Sequence, residues 1–305
     1  MTLRGPPEER SPATLLEFGV VNLDKPAGPS AHQVAGWVRD AVGDALEAET
    51  GDRGPERAAH SGTLDPKVTG CLPTLLGNGT RIAQAFLAGE KEYISVLELH
   101  GPAPADFADV LETFEGPIYQ KPPHKSAVRR RRRIREIYAL DAIEVEERRA
   151  LIRIRCESGT YVRKLCHDLG LALGTGAHMG DLRRTATEPF DDTDLVTMQE
   201  LVDALAFWVE DEGDELLREV VQPAERALLH LPSITIAPSA AREVAEGAPV
   251  YAPGVIDAEV EAEGDEDDPL VVCYTPEGAA VCLGRLVGDP DAEEGIVVAL
   301  ERVLV

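Results

Sequence analysis

The sequence predicts an α+β fold in which a mixed-sheet domain is followed by a small β-barrel. The chain has 305 residues, 44% of them hydrophobic, which is enough apolar material for two domains. Up to about residue 228, predicted strands and helices mix without the strict alternation of βαβ units. After Leu231-Pro232 the pattern changes to short β-like runs separated by Gly and Pro, which is typical of a small barrel.

The first region combines buried strands with amphipathic helices. Strands are predicted at residues 19–23, 93–99 and 151–156, the last with strictly alternating apolar positions. One helix follows Ser30, with a buried face formed by Val34, Trp37, Val38 and Ala41. Further helices are predicted at 107–114, after Thr160, and after the capping box that begins at Thr197. The polar segment 43–59 is expected to be a surface loop.

The second region contains four predicted strands, at residues 234–236, 270–274, 280–283 and 296–300. The change in pattern sets the predicted domain boundaries. Residues 1–17 form an N-terminal extension, residues 18–228 the first domain and residues 231–305 the second. No window resembles a membrane helix or a signal peptide, so we expect a cytoplasmic protein.

The charge is strongly acidic overall but locally basic. There are 55 acids and 30 bases, giving a net charge of -25, and 24 of the bases are Arg. At molar salt the Debye length falls to about 3 Å, so such a surface suits a halophilic cytoplasm, and we expect a haloarchaeal origin. In contrast, residues 121–135 carry eight bases and no acid, which favours phosphate binding over a solvated face. These bases are Lys121, Lys125, Arg129, Arg130, Arg131, Arg132, Arg133 and Arg135.

The five cysteines are widely spaced and never form a Cys-x-x-Cys pair. This spacing indicates neither a disulfide framework nor a zinc knuckle. We therefore predict buried free thiols.

A candidate catalytic carboxylate lies in His60-Ser-Gly-Thr-Leu-Asp-Pro66. Pro66 pushes Asp65 away from helical dihedrals, and Gly62 and Gly70 bracket it, so the carboxylate is expected on a constrained loop. A turn-forming Asp-Pro with no chemical role is the alternative.

Arg163 and Tyr93 are the other candidates. With Thr160 as the N-cap, Arg163 falls in the first turn of a helix, where the helix dipole disfavours a cation unless an anion lies nearby. Tyr93 begins a predicted strand, where its ring could stack on a base. The alternatives are an exposed surface base for Arg163 and a core or edge packing role for Tyr93.

Six motifs follow one another along the chain. They are Leu23-Asp-Lys-Pro-Ala-Gly28, His60-Ser-Gly-Thr-Leu-Asp-Pro66, Lys91-Glu-Tyr93, Gln120-Lys-Pro-Pro-His-Lys-Ser-Ala127, Gly159-Thr-Tyr-Val-Arg163 and Gly176-Ala-His-Met-Gly-Asp-Leu-Arg-Arg184. In this order they closely resemble the TruB family of pseudouridine synthases, and within it the dyskerin branch, the archaeal catalytic subunit of the box H/ACA ribonucleoprotein. The resemblance covers roughly residues 18–305. The second region is similar to a PUA domain, although from Leu231 onward it has 16 acids and three bases.

The resemblance implies a role for each motif residue. Asp65 matches the catalytic nucleophile, Arg163 its ion-pair partner, and Tyr93 the ring that stacks on the target uracil. Lys25 and Pro26 match a supporting motif, His60 a residue that helps to extrude the nucleotide, and Leu182 an apolar contact to the flipped base. RNA contacts are further implied for Arg183, Arg184, Gly247 and Gly254. No metal and no organic cofactor are implied, and attack at C6 of the ring or at C1′ of the ribose both remain open.

The resulting hypothesis is an RNA uridine isomerase, guided by H/ACA RNA, that acts on rRNA and also on tRNA. The resemblance implies three protein partners: a small zinc-ribbon-like protein, a small β-barrel protein near residues 120–135, and a kink-turn-binding protein reached through RNA. Two alternatives remain: a guide-free enzyme for the tRNA T-loop, and a catalytically silent RNA-binding scaffold.

Overall fold

The computed structural model describes residues 3–122, 131–210, 213–260 and 268–305. Within these ranges the chain forms two sheets, with most of the helices packed on the first. This mixed α+β architecture is the predicted fold class.

Ten strands of the described residues form the first sheet, in the order β10-β1-β3-β8-β4-β7-β6-β5, with β2 paired to β3 and β9 paired to β8. Strands β3 and β8 run parallel and the remaining pairs are antiparallel. The strands are β1 (Gly19–Lys25), β2 (Ala58–His60), β3 (Thr69–Leu76), β4 (Lys91–Leu99), β5 (Gly116–Gln120), β6 (Arg133–Val145), β7 (Arg149–Cys156), β8 (Ala177–Thr187), β9 (Phe190–Asp191) and β10 (Gln222–Pro223).

Helices α2, α5 and α6 share a large apolar core with this sheet. Side-chain caps fix where α2 and α6 begin: Ser30 and Gln33 form a capping box, and so do Thr197 and Glu200, as predicted. The helices of this region are α1 (Pro12–Glu17), α2 (Ala31–Thr50), α3 (Ala83–Ala88), α4 (Phe107–Glu112), α5 (Val162–Ala172), α6 (Met198–Val209) and α7 (Glu215–Val220). Short 3₁₀ helices lie at Pro7–Glu9, Gly77–Ile82 and Ala224–Leu228.

Helix α2 corrects two predictions. The prediction of a loop at residues 43–59 was wrong for residues 43–50, because α2 continues to Thr50 and buries Ala45 and Leu46 in the core. The helix ends at Gly51, whose φ of 76° lies in the left-handed region that glycine readily adopts. Trp37, expected on the buried face, is 50% exposed.

The N-cap of α5 lies one residue after the predicted position. The N-cap is Tyr161, not Thr160, because the Thr160 hydroxyl instead donates a hydrogen bond to the Glu157 carbonyl at 2.7 Å. Arg163 nevertheless lies in the first turn of α5, and its guanidinium projects from the helix toward Asp65.

The second sheet has the order β12-β16-β15-β14-β11-β13 in the described residues, and its pair β11 and β14 is parallel. All four strands predicted for this region are present. Helix α8 (Pro238–Ala245) packs against β15, and a 3₁₀ helix lies at Ala252–Gly254. The strands are β11 (Ser233–Ile236), β12 (Val250–Tyr251), β13 (Val255–Glu259), β14 (Leu270–Tyr274), β15 (Ala280–Leu286) and β16 (Ile296–Val303).

A buried ion pair joins the N-terminal segment to the junction between the two sheets. Arg10 and Glu225 approach to 2.7 Å, with side-chain exposures of only 1% and 8%. Glu225 also accepts a hydrogen bond from the backbone N–H of Ala280, at the start of β15. Around this pair an apolar cluster combines Phe18 of the first region with Leu283 of the second. The junction is therefore a packed interface.

Two further predictions concern the cysteines and the membrane. All five cysteines are buried and free, which confirms the thiol prediction. Among the described residues, none of the helices combines the length and the apolar character needed to cross a bilayer.

Candidate active site

The candidate catalytic carboxylate, Asp65, lies on the loop of residues 61–68, which connects β2 to β3. The loop begins at Ser61, which is fully buried, and it returns to the core at Val68. Asp65 between them is exposed, and its carbonyl accepts a hydrogen bond from the Val68 N–H at 2.9 Å. The backbone is thus fixed at both ends while the carboxylate faces solvent.

Arg163 forms an ion pair with Asp65 across 98 positions of sequence. The contact joins Nη2 of Arg163 to Oδ2 of Asp65, and the two side chains remain 57% and 52% exposed. Because solvent screens an exposed pair, its contribution to folding stability is about 1 kcal/mol or less. The structure therefore brings together the two predicted partners in a place where an incoming substrate can reach them.

Strands β4 and β8 supply the predicted apolar contacts. Tyr93 of β4 is half-buried against the main core, and burial raises the pKa of its hydroxyl, opposed by the nearby positive charge of Arg184. Leu182 of β8 is 9% exposed. Ser95 of β4 pairs with Leu182 in the sheet, so Tyr93 and Leu182 lie on adjacent strands.

A cavity of about 220 Å³ is lined by Leu182 of β8 and by Ile94 of β4, the residue that follows Tyr93; Tyr93 itself does not line it. A second cavity, of about 390 Å³, shares Thr69 and Arg183 with it, so the two adjoin in one cleft. The first is lined by Ala27, Lys67, Thr69, Ile94, Val96, Leu151, Asp181, Leu182 and Arg183. Apolar walls with a few polar groups suit a planar, polar-edged ligand such as a base.

Lys25 holds the downstream end of the Asp65 loop. Its side chain is fully buried, and Nζ donates hydrogen bonds to the carbonyls of Pro26, Pro66 and Val68 at 2.9, 3.2 and 2.7 Å. Burial lowers the pKa of Lys25, although the negative charge of Asp65 opposes that shift. Pro26, the other predicted supporting residue, is exposed at the end of β1.

His60 ends β2, directly before the loop. Its Nδ1 accepts a hydrogen bond from the Gly62 N–H at 3.3 Å. Burial and the positive charge of Arg184 lower the pKa of His60, so the imidazole is neutral at pH 7. A neutral half-buried ring is suited to packing and hydrogen bonding at the entrance of the loop.

Arg184 is not an RNA-binding residue, and the structure corrects that prediction. Its side chain is 1% exposed, and Nε donates to the Cys71 carbonyl at 2.7 Å while Nη2 donates to Ser61 Oγ at 3.1 Å. A phosphate has no access to a guanidinium buried in this way. Arg183, the preceding residue, points to the opposite face of the sheet and makes a two-pronged ion pair with Asp24 at the cleft.

The basic segment is only partly described. Lys121, Arg131 and Arg132 are exposed, and Arg133 is half-buried at the start of β6. Lys125, Arg129 and Arg130 lie outside the described residues. Phosphate contact by this segment stays a prediction.

The two predicted glycines of the second region lie beside α8. Gly247 is exposed, with a φ of 100°, and a Cβ there would meet no atom within 4 Å. Gly254 helps to line a cavity of about 190 Å³ with Glu243 and Tyr251. A Cβ on Gly254 would lie 2.7 Å from the Cβ of Ala240, so only glycine fits without movement.

Sequence reasoning missed the roles of Ser61 and Lys91. Ser61 is the buried acceptor that anchors the upstream end of the loop to β8. Lys91 is 3% exposed, donates to the Gly89 carbonyl at 2.8 Å, and has its pKa lowered to about 8 by burial. A lysine two residues before Tyr93 on the same strand could have been recognised, by period-2 alternation, as sharing the inward face of Tyr93. Within the described ranges, no three His, Cys, Asp or Glu side chains group closely enough to hold a metal ion.

Comparisons with known protein families agree with the geometry. Residues 52–105 match the TruB family pseudouridylate synthase N-terminal domain, and residues 163–229 match the tRNA pseudouridylate synthase B C-terminal domain. Residues 5–35 match the DKCLD (NUC011) domain. The first two matches contain Asp65 and Arg163 respectively.

Similar whole chains are known from archaea. The chain is 63% identical to a probable tRNA pseudouridine synthase B of Halobacterium salinarum, over 100% of both chains. It is 64% identical to a protein of the same name from Haloarcula marismortui, covering 100% of this chain and 94% of that one. A crystal structure of a Cbf5-Nop10-Gar1 complex contains a chain that is 41% identical and superposes with a TM-score of 0.90, covering 99% of this chain and 90% of that chain.

A structure of an H/ACA RNP bound to a substrate RNA is also similar, at 38% identity and a TM-score of 0.88, over 99% of this chain and 90% of that chain. The fold and the site together define an isomerase of the pseudouridine synthase class. Within that class, the chain belongs to the TruB family.

Proposed function

We propose that this chain is the catalytic subunit of a guide-RNA ribonucleoprotein that isomerises specific uridines, chiefly in rRNA. The observation that carries the proposal is the Asp65–Arg163 ion pair, open to solvent on the loop that leads into the cleft-lining residues Lys67 and Thr69. Assembly with Nop10 and Gar1 is supported by the similarity to solved Cbf5 complexes over 99% of the chain.

In the proposed reaction Asp65 is the nucleophile and Arg163 orients its carboxylate. Asp65 bonds transiently to C1′ of the ribose or to C6 of the ring, and the C1′–N1 bond of uridine breaks. The uracil turns, a C1′–C5 bond forms, and the bond to Asp65 breaks again. C5 loses its proton to a base or solvent, and N1 gains one. Tyr93 stacks on the extruded ring and Leu182 contacts it, while His60 helps to extrude the nucleotide. Lys25 and Pro26 support the loop.

We further propose that residues 18–228 form the catalytic domain, that residues 231–305 form a PUA domain, and that residues 1–17 are an extension packed at their junction. The separate six-stranded sheet and its glycine-lined cavity support this division. In the PUA domain, Gly247 and Gly254 would contact guide RNA through backbone groups. Such contacts suit a region whose side chains are mostly acidic.

We also infer a haloarchaeal origin and a cytoplasmic location. The origin is supported by the identities of 63% and 64% to proteins of Halobacterium and Haloarcula. The net charge of -25 is consistent with molar salt, where direct contacts by Arg survive screening better than long-range attraction. The proposed RNA substrates place the enzyme in the cytoplasm.

A second candidate function is guide-free modification of tRNA, favoured by the name that the curated relatives carry. One assay separates the two. The purified chain is incubated at high salt with rRNA fragments and with tRNA, each with and without guide RNA and the partner proteins, and pseudouridine is mapped. Modification of rRNA only in the complete mixture supports the first function. Modification of tRNA by the chain alone supports the second, and no pseudouridine in any mixture contradicts both.

A further inference from the structure

Two buried cations hold opposite ends of the Asp65 loop. At the upstream end Arg184 contacts Ser61 Oγ at 3.1 Å, and its Nη1 lies 3.5 Å from the Gly62 carbonyl. At the downstream end Lys25 contacts the carbonyls of Pro66 and Val68. The exposed carboxylate lies between these two anchors, so its position depends on both.

Arg184 also faces Tyr93. The two residues are directly paired on β8 and β4, so their side chains project on the same face of the sheet, and the positive charge of Arg184 opposes the rise that burial causes in the pKa of the Tyr93 hydroxyl. The third anchor of Arg184, the hydrogen bond from Nε to the Cys71 carbonyl, ties it to β3. One side chain therefore touches the loop that carries Asp65, the strand that follows that loop, and the ring of Tyr93.

The packing leaves little freedom for this arrangement. Gly70 has a φ of 97°, and a Cβ there would lie 2.2 Å from the Arg184 carbonyl oxygen, so β3 approaches the backbone of β8 closely at that point. Arg184 and Gly70 are paired in the parallel register of these strands. A planar guanidinium with several fixed donors can hold three groups at set angles, which a single ammonium cannot.

We propose that Arg184 is a positioning residue for pseudouridylation. It fixes the position of the Asp65 loop relative to the Tyr93 ring. The inference rests on the proposed roles of Asp65 and Tyr93. Arg184 touches no substrate. It acts through Ser61 and Tyr93, and its loss displaces reacting groups while leaving the RNA-binding surface intact.

The test compares Arg184→Lys with Arg10→Lys in the full chain, under the conditions in which the wild type forms pseudouridine. Arg10 is a matched control because it is also a buried arginine that donates several hydrogen bonds, and it lies at the junction of the two sheets. A misplacement on the order of 1 Å at a reacting group can lower a rate about 100-fold. On this basis we expect Arg184→Lys to lower the maximal single-turnover rate by about 10- to 100-fold.

The RNA concentration that gives the half-maximal rate should change less than about twofold, because the surface that binds the RNA is unaltered by the substitution. Arg10→Lys should lower thermal stability and leave the maximal rate of the folded protein unchanged. A wild-type maximal rate for folded Arg184→Lys, or equal rate losses in the two variants, overturns the inference.

Ser61→Ala keeps the test decisive if Arg184→Lys does not fold. This variant removes the hydrogen bond from Nη2 of Arg184 to Ser61 Oγ and leaves the other contacts of the guanidinium in place. We expect a smaller loss of maximal rate, about threefold to tenfold, with unchanged half-saturation, and a wild-type rate overturns the inference. Asp65→Asn is measured alongside: its inactivity together with wild-type rates for Ser61→Ala and Arg184→Lys rejects only the role of Arg184, whereas an active Asp65→Asn rejects the proposed site itself.

Discussion

Two ion pairs of the same chemistry lie in opposite environments of this molecule. Arg163 and Asp65 meet at the cleft with more than half of each side chain exposed, whereas Arg10 and Glu225 are almost completely buried at the junction of the two sheets. The buried pair is surrounded by further hydrogen bonds, from the Ala280 N–H to Glu225 and from Arg10 to the Gly5 carbonyl. The buried pair, Arg10 and Glu225, thus holds chain segments together, whereas the exposed pair, Arg163 and Asp65, is accessible to a substrate.

The largest expected effect concerns the open pair. Arg163→Met should lower the rate of pseudouridine formation at least about 100-fold, because the carboxylate of Asp65 loses the cation that aims it. Arg163→Lys should be intermediate, since an ammonium keeps the charge but not the planar fork. Rates are measured by single-turnover mapping and stability by thermal unfolding. A large loss of stability in Arg163→Met would contradict the assignment of this pair to function.

The opposite result is expected for the buried pair. Glu225→Ala leaves the Arg10 guanidinium buried without its carboxylate, which typically costs about 3 to 5 kcal/mol of unfolding free energy. The control is Glu56→Ala, which removes an exposed partner of Arg53 and should cost about 1 kcal/mol or less. Denaturant unfolding at constant salt measures both. Equal costs would show that burial does not distinguish the two kinds of pair.

Lys91 extends the comparison to pH. Burial lowers its pKa in the folded protein to about 8, from 10.5. Between these values the unfolded chain binds more protons, so this group makes stability rise with pH across that window, by up to about 3 kcal/mol. Lys91→Met should remove that rise. The unfolding free energy of the wild type and of Lys91→Met is measured from pH 7.5 to 10.5. A difference between the two proteins that stays constant over this range would contradict the lowered pKa of Lys91.

The smallest effect concerns the exposed arginines beside β6. Replacing Arg131 and Arg132 by Gln should reduce the slope of log affinity against log salt by about 2, which is about 1 for each lost phosphate contact. The control is Arg218→Gln, which removes a basic side chain that forms an ion pair with Asp214. This variant should leave the slope unchanged. Identical slopes in all variants would remove these arginines from the RNA-binding surface.

Much of the fold could be predicted because local patterns determine it. The alternation in β7 and the capping box at Thr197 both specify their elements within a few residues. The end of α2 could not be predicted this way. Its acidic residues resemble a loop, but Ala, Leu and Glu favour a helix, and Ala45 and Leu46 pack into the core.

The ion pair of the candidate site and its support by Lys25 were predictable, but its support by Arg184 was not. Asp65, Tyr93 and Arg163 were recognised from motif resemblance, and the ion pair was expected from the position of Arg163 at a helix start. The burial of Arg184 was not, because it follows from the parallel pairing of β3 with β8, between strands more than 100 residues apart. Nothing in the dipeptide Arg183-Arg184 shows that one guanidinium faces the cleft and the other the interior.

The most direct test of the central claim is pseudouridine formation by Asp65→Asn, measured beside Asp214→Asn. Both substitutions remove one charge from an Asp paired with an Arg, but Asp214 lies on the approach to α7, away from the cleft. The account predicts no detectable pseudouridine with Asp65→Asn, with RNA affinity and unfolding temperature retained, and full activity with Asp214→Asn. Pseudouridine formed by folded Asp65→Asn at the wild-type rate would contradict it.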